Sequence, residues 1–305
     1  MEEEKSLIKI VTRFINLEPI LGGFIYYALG VGIARYLGFN VDWAKYITGQ
    51  LAITVLQFCT ILLQAYFEIT SIDIRKYVLE KIGENLQPKS VVDLQRILLF
   101  LALSLFLISS VFMVIILLSI SEINQTVLFI ILLIAGIILY VIPPVTLVHS
   151  AFGVILEAFI VACLFPALAY TLQGHAPHRM ILFISIPMFL LFISMKSVAS
   201  LRRYGIDSKY HIKTIATRLG WEKCINIHNY LIVFSFVLLG INLLLDLPLR
   251  IILPGMVTFP AGIIQIILIN RIYDGKKPNW QLLRITAITT SLITPYLITY
   301  ALWIG

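Results

Sequence analysis

The chain has 305 residues, of which 60% are hydrophobic and only 13% charged, and a formal net charge of +7. Soluble domains carry roughly 25% charged residues, so the composition excludes a soluble globular protein and implies an integral membrane protein. The positive charge is not gathered on a soluble basic face, which excludes a nucleic-acid-binding role.

The first eighteen residues hold Glu2, Glu3 and Glu4 and no apolar core segment, so no cleavable signal peptide is expected. Nine apolar runs follow, at about 19–38, 44–68, 97–120, 126–148, 151–172, 178–200, 224–246, 249–270 and 284–304. Each is long enough to cross a hydrocarbon core of about 30 Å as a helix. The expected fold is therefore all-α, a nine-helix polytopic membrane bundle forming one domain over 1–305. Most connections are short, but 69–96 and 201–223 are long. Both follow an even-numbered span, so both lie on one face and are expected to cap it. Ile74, Val78 and Ile82 in the first loop recur at helical spacing, as do Ile212, Ile215, Ala216 and Leu219 in the second, where Gly220 supplies a stop. The three cysteines, Cys59, Cys163 and Cys224, are scattered and suggest neither a disulfide framework nor a metal site. Seven prolines from Pro143 to Pro295 fall inside the later apolar runs, and such breaks are tolerated where neighbouring helices or a cavity satisfy the freed backbone.

Lysine and arginine set the orientation. Eighteen lie on the face shared by the N-terminal segment and the two long loops, against four on the other. The positive-inside rule puts the N-terminus in the cytoplasm and, with nine spans, the C-terminus outside.

One polar stretch carries a specific signature. Arg203-Tyr204-Gly205-Ile206-Asp207, then Lys209, then Ile212-Lys213-Thr214-Ile215-Ala216-Thr217-Arg218-Leu219-Gly220 resembles the second aspartate-rich loop of the UbiA superfamily of intramembrane prenyltransferases. That loop reads D-x-x-x-D, a basic residue, then K-T-x-A-x-R-L-G. The end of span 2, Gln64-Ala65-Tyr66-Phe67-Glu68, is similar to the family's first motif, N-D-Y-F-D, whose last aspartate falls on Glu68 and is followed by a second metal-binding aspartate four residues on. Gly153 to Glu157 resembles a G-x-x-x-E element of its menaquinone-type branch.

The resemblance implies a nine-helix fold with two cytoplasmic capping loops. It implies transfer of a polyprenyl group from a polyprenyl diphosphate to an aromatic or quinone-precursor acceptor in the lipid bilayer, with Mg2+ as cofactor. Carboxylates at i and i+4 share a helical face, and metal ions held by them take up the charge of the leaving diphosphate. Carried over by position, Glu68, Asp73 and Asp207 are the expected catalytic and metal-holding residues. The expected substrate-binding residues are Gln64, Arg75, Lys76, Arg202, Arg203, Lys209, Lys213, Glu157 and Lys196.

The sequence departs from the family pattern at several of these places. Arg203 stands where the second loop has its first aspartate, and Ile72 where the first motif has its second, with Asp73 one residue late. The two loops hold eleven cations, and seven acids when Glu68 is counted with them. Three readings follow. The first is a divergent prenyltransferase whose arginines and lysines grip the diphosphate. The second is a degenerate member that binds a prenyl lipid or quinone or assists another enzyme. The third is a terpene cyclase in the same cavity. Glu157 and Lys196 lie inside spans, where charges default to function, although they can equally pair with each other. The five histidines lack metal spacing, and Trp280 and Trp303 read as interface anchors.

Overall fold

Inside a bilayer no water meets the backbone, so an apolar run must satisfy its own peptide groups as a helix. The computed structural model describes residues 10–15, 17–82, 88–120, 125–245 and 247–305, without the side chains of 72–73, 81–82 and 88–89, and among these residues it contains no strand. The helices are α1 (Leu17–Tyr36), α2 (Trp43–Thr70), α3 (Ile72–Ile82), α4 (Pro88–Leu118) and α5 (Gln125–Val141). After them come α6 (Ala151–Thr171), α7 (Arg179–Arg202), α8 (Tyr204–Lys209), α9 (Ile215–Leu219) and α10 (Trp221–Ile241). The chain closes with α11 (Leu249–Met256), α12 (Phe259–Tyr273) and α13 (Trp280–Ile304).

Eight segments are long and apolar enough to cross a membrane, with α11 and α12 together making one of them. The ninth, α5, has 17 residues, about 26 Å at the helical rise of about 1.5 Å. The protein is an integral, multi-pass membrane protein.

Four boundaries differ from the sequence expectation, each for a local reason. The fourth span was expected to run to 148, but α5 ends at Val141, because Pro143 and Pro144 lack the N–H a helix needs and disfavour helix before them. The first long loop shrinks at both ends, since α3 begins at Ile72 and α4 already at Pro88. Proline suits a first helical turn, where its N–H has no partner to lose. The eighth span is broken after Met256 into α11 and α12, with Pro260 in the first turn of the second piece. In the second loop the helical stripe splits. Ile212 lies outside α9, although Ile212, Ile215 and Ala216 are all buried, and Gly220 ends α9 with φ +84°.

Two intramembrane prolines leave a common mark. α6 contains a π-helical turn at Ile160–Leu164 just before Pro166, and α13 one at Thr289–Ile293 just before Pro295. A proline clashes with the carbonyl four residues back, and widening the turn relieves that clash. For Pro295 the freed carbonyl belongs to Ser291, and the buried Tyr26 hydroxyl of α1 donates to it at 3.1 Å. α1 also packs closely on α6: a Cβ at Gly30 would overlap the Pro166 carbonyl, so only glycine allows this crossing.

The main core joins α1, α2, α6, α7, α10 and α13, with Tyr26, Tyr27, Phe192 and Tyr170 among its buried members. A second, smaller core lies at the end where the polar segments gather. It joins Leu62, Ala65 and Ile69 of α2, Tyr77 and Val78 of α3, Leu94 and Leu98 of α4, and Ile212. At the opposite end the turns are short. Asp42 caps α2 with its side chain and donates its backbone N–H to Gln173 Oε1 at 2.8 Å, and Phe39 stacks on His175. Trp303 meets Trp43 and Arg35 there, as an interfacial anchor does.

Candidate functional site

The polar end of the bundle opens into a cavity of about 650 Å³. α2, α5, α6, α7 and the start of α13 wall it, and α3 and the 212–214 segment cover it. Its depth is apolar, with Ile137, Ile160, Val161, Phe165 and Met195. Its mouth is charged, with Arg13, Glu18, Glu68, Arg202, Arg203 and Arg284.

The two long loops meet across this mouth as expected. Tyr77 of α3 donates to Asp207 Oδ1 of α8 at 2.9 Å. Asp207 is fully buried, and its Oδ2 has no hydrogen-bond partner among the described residues. Burial first, and then the charge of Asp207, raise the pKa of Tyr77, so its hydroxyl stays protonated as a donor. At the rim Lys209 Nζ and the Tyr210 hydroxyl reach Glu80 at 2.7 and 2.5 Å. A backbone bridge between Ser150 and Lys213 ties the second loop to the turn before α6.

This exposed clasp has a definite pH response. The hydrogen bond from Lys209 lowers the pKa of Glu80 below its ordinary 4.5, and the same bond raises that of Lys209 above 10.5. A lowered acid contributes stability above its ordinary pKa and loses it as pH falls through the folded value, while a raised base loses its contribution as pH rises through its own. The spin-label distance between α3 and α8 is expected to hold from about pH 6 to about pH 9 and to lengthen below pH 4.5. Glu80→Gln should remove the acid response; an unchanged acid response in that variant assigns it elsewhere.

The acids that line the cavity are each met by a donor. Glu68 is buried at the end of α2, where Gln64 Nε2 donates to its Oε1 at 2.7 Å and His149 Nε2 lies 3.3 Å from the same oxygen. His149 is presented by the turn before α6. Gly153 permits this turn, since a Cβ there would overlap the Leu147 carbonyl. Deeper in, Lys196 Nζ contacts Glu157 Oε1 at 2.6 Å and the Tyr140 hydroxyl donates to Oε2 at 3.1 Å. At the mouth Arg284 holds Glu18.

Of the residues expected from sequence, Gln64, Glu68, Glu157, Lys196, Arg202 and Arg203 line the cavity, and Asp207 lies behind Tyr77. Four do not line it. Arg75 turns back to the carbonyls of Ile69 and Thr70 and closes the end of α2. Lys76 is exposed, Lys209 is held by Glu80, and the Lys213 side chain is exposed. The side chain of Asp73 falls outside the described residues. Sequence reasoning missed His149, Tyr77, Tyr140 and Arg284. Matching the histidines to nearby acids on the face of the two long loops, rather than screening them for metal spacing, is the signal that finds His149. Trp280, expected as an interface anchor, is one of the cavity residues.

No family model matches the chain, and no curated protein matches it in sequence. Solved structures do match. A UbiA homolog from Archaeoglobus fulgidus bound to GPP and Mg2+ aligns at TM-score 0.59 and 17% identity, covering 96% of this chain and 100% of that one. The fold is that of the UbiA homologues. The UbiA homolog from Aeropyrum pernix K1 aligns at TM-score 0.60 and 12% identity, over 94% of this chain and 98% of its own. A digeranylgeranylglyceryl phosphate synthase aligns at 0.57 and 13%, over 100% and 99%. Further structures of the A. fulgidus UbiA homolog hold DMAPP with Mg2+, or Cd2+.

The divalent cation of those UbiA structures can be tested against the donors here. Among the described residues no three His, Cys, Asp or Glu side chains converge. Glu68 Oε1 already meets two nitrogen donors, Asp207 stands behind Tyr77, and Arg203 is the residue one turn before it. A guanidinium repels a divalent ion at close range. The described donors Glu68 and Asp207 do not form the expected Mg2+ centre, and the third expected ligand, Asp73, has its side chain outside the described residues.

Proposed function

We propose that this protein is a membrane-embedded prenyltransferase that takes its prenyl group from a polyprenyl diphosphate. The observation that carries the reading is the two-zone cavity, apolar in its depth and cationic at the mouth, closed by two clasped caps. A prenyl diphosphate has that same division. Its tail occupies the zone of Ile160, Val161 and Phe165, and its anionic head meets Arg202 and Arg203. Arginine suits this task because its planar fork matches phosphate oxygens.

In this reading the allylic carbon–oxygen bond breaks and its electron pair leaves with the diphosphate. The allylic carbon forms a new bond to a carbon of an aromatic or quinone-precursor acceptor. The proton lost from that acceptor carbon passes to Glu68, the cavity carboxylate with no lysine or arginine partner among the described contacts. Exclusion of water by the caps protects the allylic cation from hydrolysis.

A second reading is favoured by the departure at Arg203, which is a prenyl-lipid binder that performs no transfer. The two separate in one experiment. The purified protein in nanodiscs is given radiolabelled geranyl diphosphate and a panel of hydroxylated aromatic acceptors, with Asp207→Ala alongside. Prenylated product from the wild type, and a large loss with Asp207→Ala, is the expected result. Tight binding with no product for any acceptor supports the binder, and no binding at all sinks both.

A further inference from the structure

The departures from the family pattern converge on one residue, and the argument from it rests on the reading above. Arg203 lies one helical turn before Asp207, whose N–H donates to the Arg203 carbonyl at 2.9 Å, so the two side chains leave the same face. The segment resembles a loop with an aspartate at this position, where a carboxylate pair would hold a metal ion. Here the first member of the pair is itself a cation.

Two buried polar atoms at this place lack hydrogen-bond partners among the described residues, namely Arg203 Nε and Asp207 Oδ2. Buried polar atoms are nearly always paired, so an unpaired donor lining a cavity marks a place for an acceptor. Each lining acid is already met by its own donor: Glu68 by Gln64 and His149, Glu157 by Lys196, and Glu18 by Arg284. Among the described residues the mouth therefore has a donor to offer an anion and each lining acid is already met by a donor, while Asp207, whose Oδ2 is unpaired, stands outside the cavity lining.

We infer that Arg203 takes the place of a divalent metal ion, so that this protein binds a diphosphate directly and without Mg2+. Asp207 and Tyr77 hold the cap that carries Arg203, and its guanidinium supplies the charge that a metal-bridged site draws from the ion. Charge-assisted hydrogen bonds from a guanidinium are worth about 1.5–3 kcal/mol, which corresponds to about ten- to hundredfold in affinity.

The test is equilibrium binding of radiolabelled geranyl diphosphate to the full chain in nanodiscs, in EDTA and in Mg2+. Inorganic pyrophosphate serves as competitor, to isolate the head group from the tail. The expected result is an affinity in EDTA within about threefold of that in Mg2+, with pyrophosphate competing in both. Arg203→Gln should weaken binding about ten- to hundredfold in EDTA, and Arg203→Lys should recover part of the loss and control for folding. Arg203→Asp, which restores the acidic pair, should bind poorly in EDTA and regain affinity when Mg2+ is added. Binding by the wild type only in Mg2+ overturns the inference and leaves the proposed function standing. Binding in neither buffer overturns both. Wild-type affinity in Arg203→Gln overturns the inference alone.

Discussion

Glu68→Gln is expected to slow prenyl transfer by about 10²- to 10⁴-fold, the range for loss of a positioned general base. The side chain keeps its shape, and its oxygen can still accept from Gln64 and His149, which now meet Glu68 Oε1 at 2.7 and 3.3 Å. What the amide cannot do is take a proton. Geranyl diphosphate affinity should therefore stay within about threefold of wild type while the single-turnover rate collapses. This split separates the proton-acceptor role from two others. Were Glu68 a metal ligand, the loss would appear in Mg2+-dependent binding instead. Were it only a helix-end acid, neither quantity would move, and a single-turnover rate near wild type would remove Glu68 from the chemistry.

The residues that made the fold legible are those whose surroundings leave one option. Apolar runs near twenty residues have no alternative to helix in lipid, and all nine are found as helical segments, with the fourth short and the eighth broken. The proline-bearing ends were misjudged because hydropathy does not see a missing N–H. Val141 to Val148 reads as apolar throughout, yet Pro143 and Pro144 turn it into the loop that presents His149. That the two loops share a face was legible from their length and parity, whereas the helical pattern alone left open whether they cap a cavity or lie on the headgroups. The bonds that join them, Tyr77 to Asp207 and Lys209 with Tyr210 to Glu80, were not, since residues 130 or so apart in the chain find each other only through the fold.

The lining of the cavity was legible where charge sits in lipid and only in part where charge sits near water, since Arg202 and Arg203 line it and four other loop cations do not. Glu157 and Lys196 stood out inside apolar runs and Glu68 at the end of one, and each lines the cavity. Arg75, Lys76, Lys209 and Lys213 were grouped with them because they share the same loops. In a loop, however, a cation has many ways to be satisfied, and Arg75 chooses two backbone carbonyls. Arg203 differs from these four because it lines the cavity and its Nε is buried with no hydrogen-bond partner among the described residues. Composition cannot tell these two kinds of arginine apart.

Lys196→Met is expected to cost about 3 kcal/mol of stability, the lower end for removing one partner of a buried ion pair. The lower end applies because Lys196 and Glu157 are 18% and 15% exposed along the cavity. The variant leaves Glu157 with the Tyr140 hydroxyl but no cation, so a carboxylate remains within the bundle without compensation. The double variant Lys196→Met with Glu157→Gln removes both charges, and its unfolding midpoint in detergent should return most of the way to wild type. Equal damage in the single and double variants would show that the two side chains act separately, against the 2.6 Å contact between them. Recovery of stability then isolates function, because any turnover still missing from the folded double variant belongs to the ammonium itself. Lys196 spends one of its three N–H donors on Glu157 and lies over the Phe192 ring. Lys196 stands about two turns along α7 from Arg202 and Arg203, so in the proposed reading it meets the oxygen of an acceptor rather than the diphosphate. Loss of turnover at unchanged geranyl diphosphate affinity is therefore the expected signature of the rescued double variant.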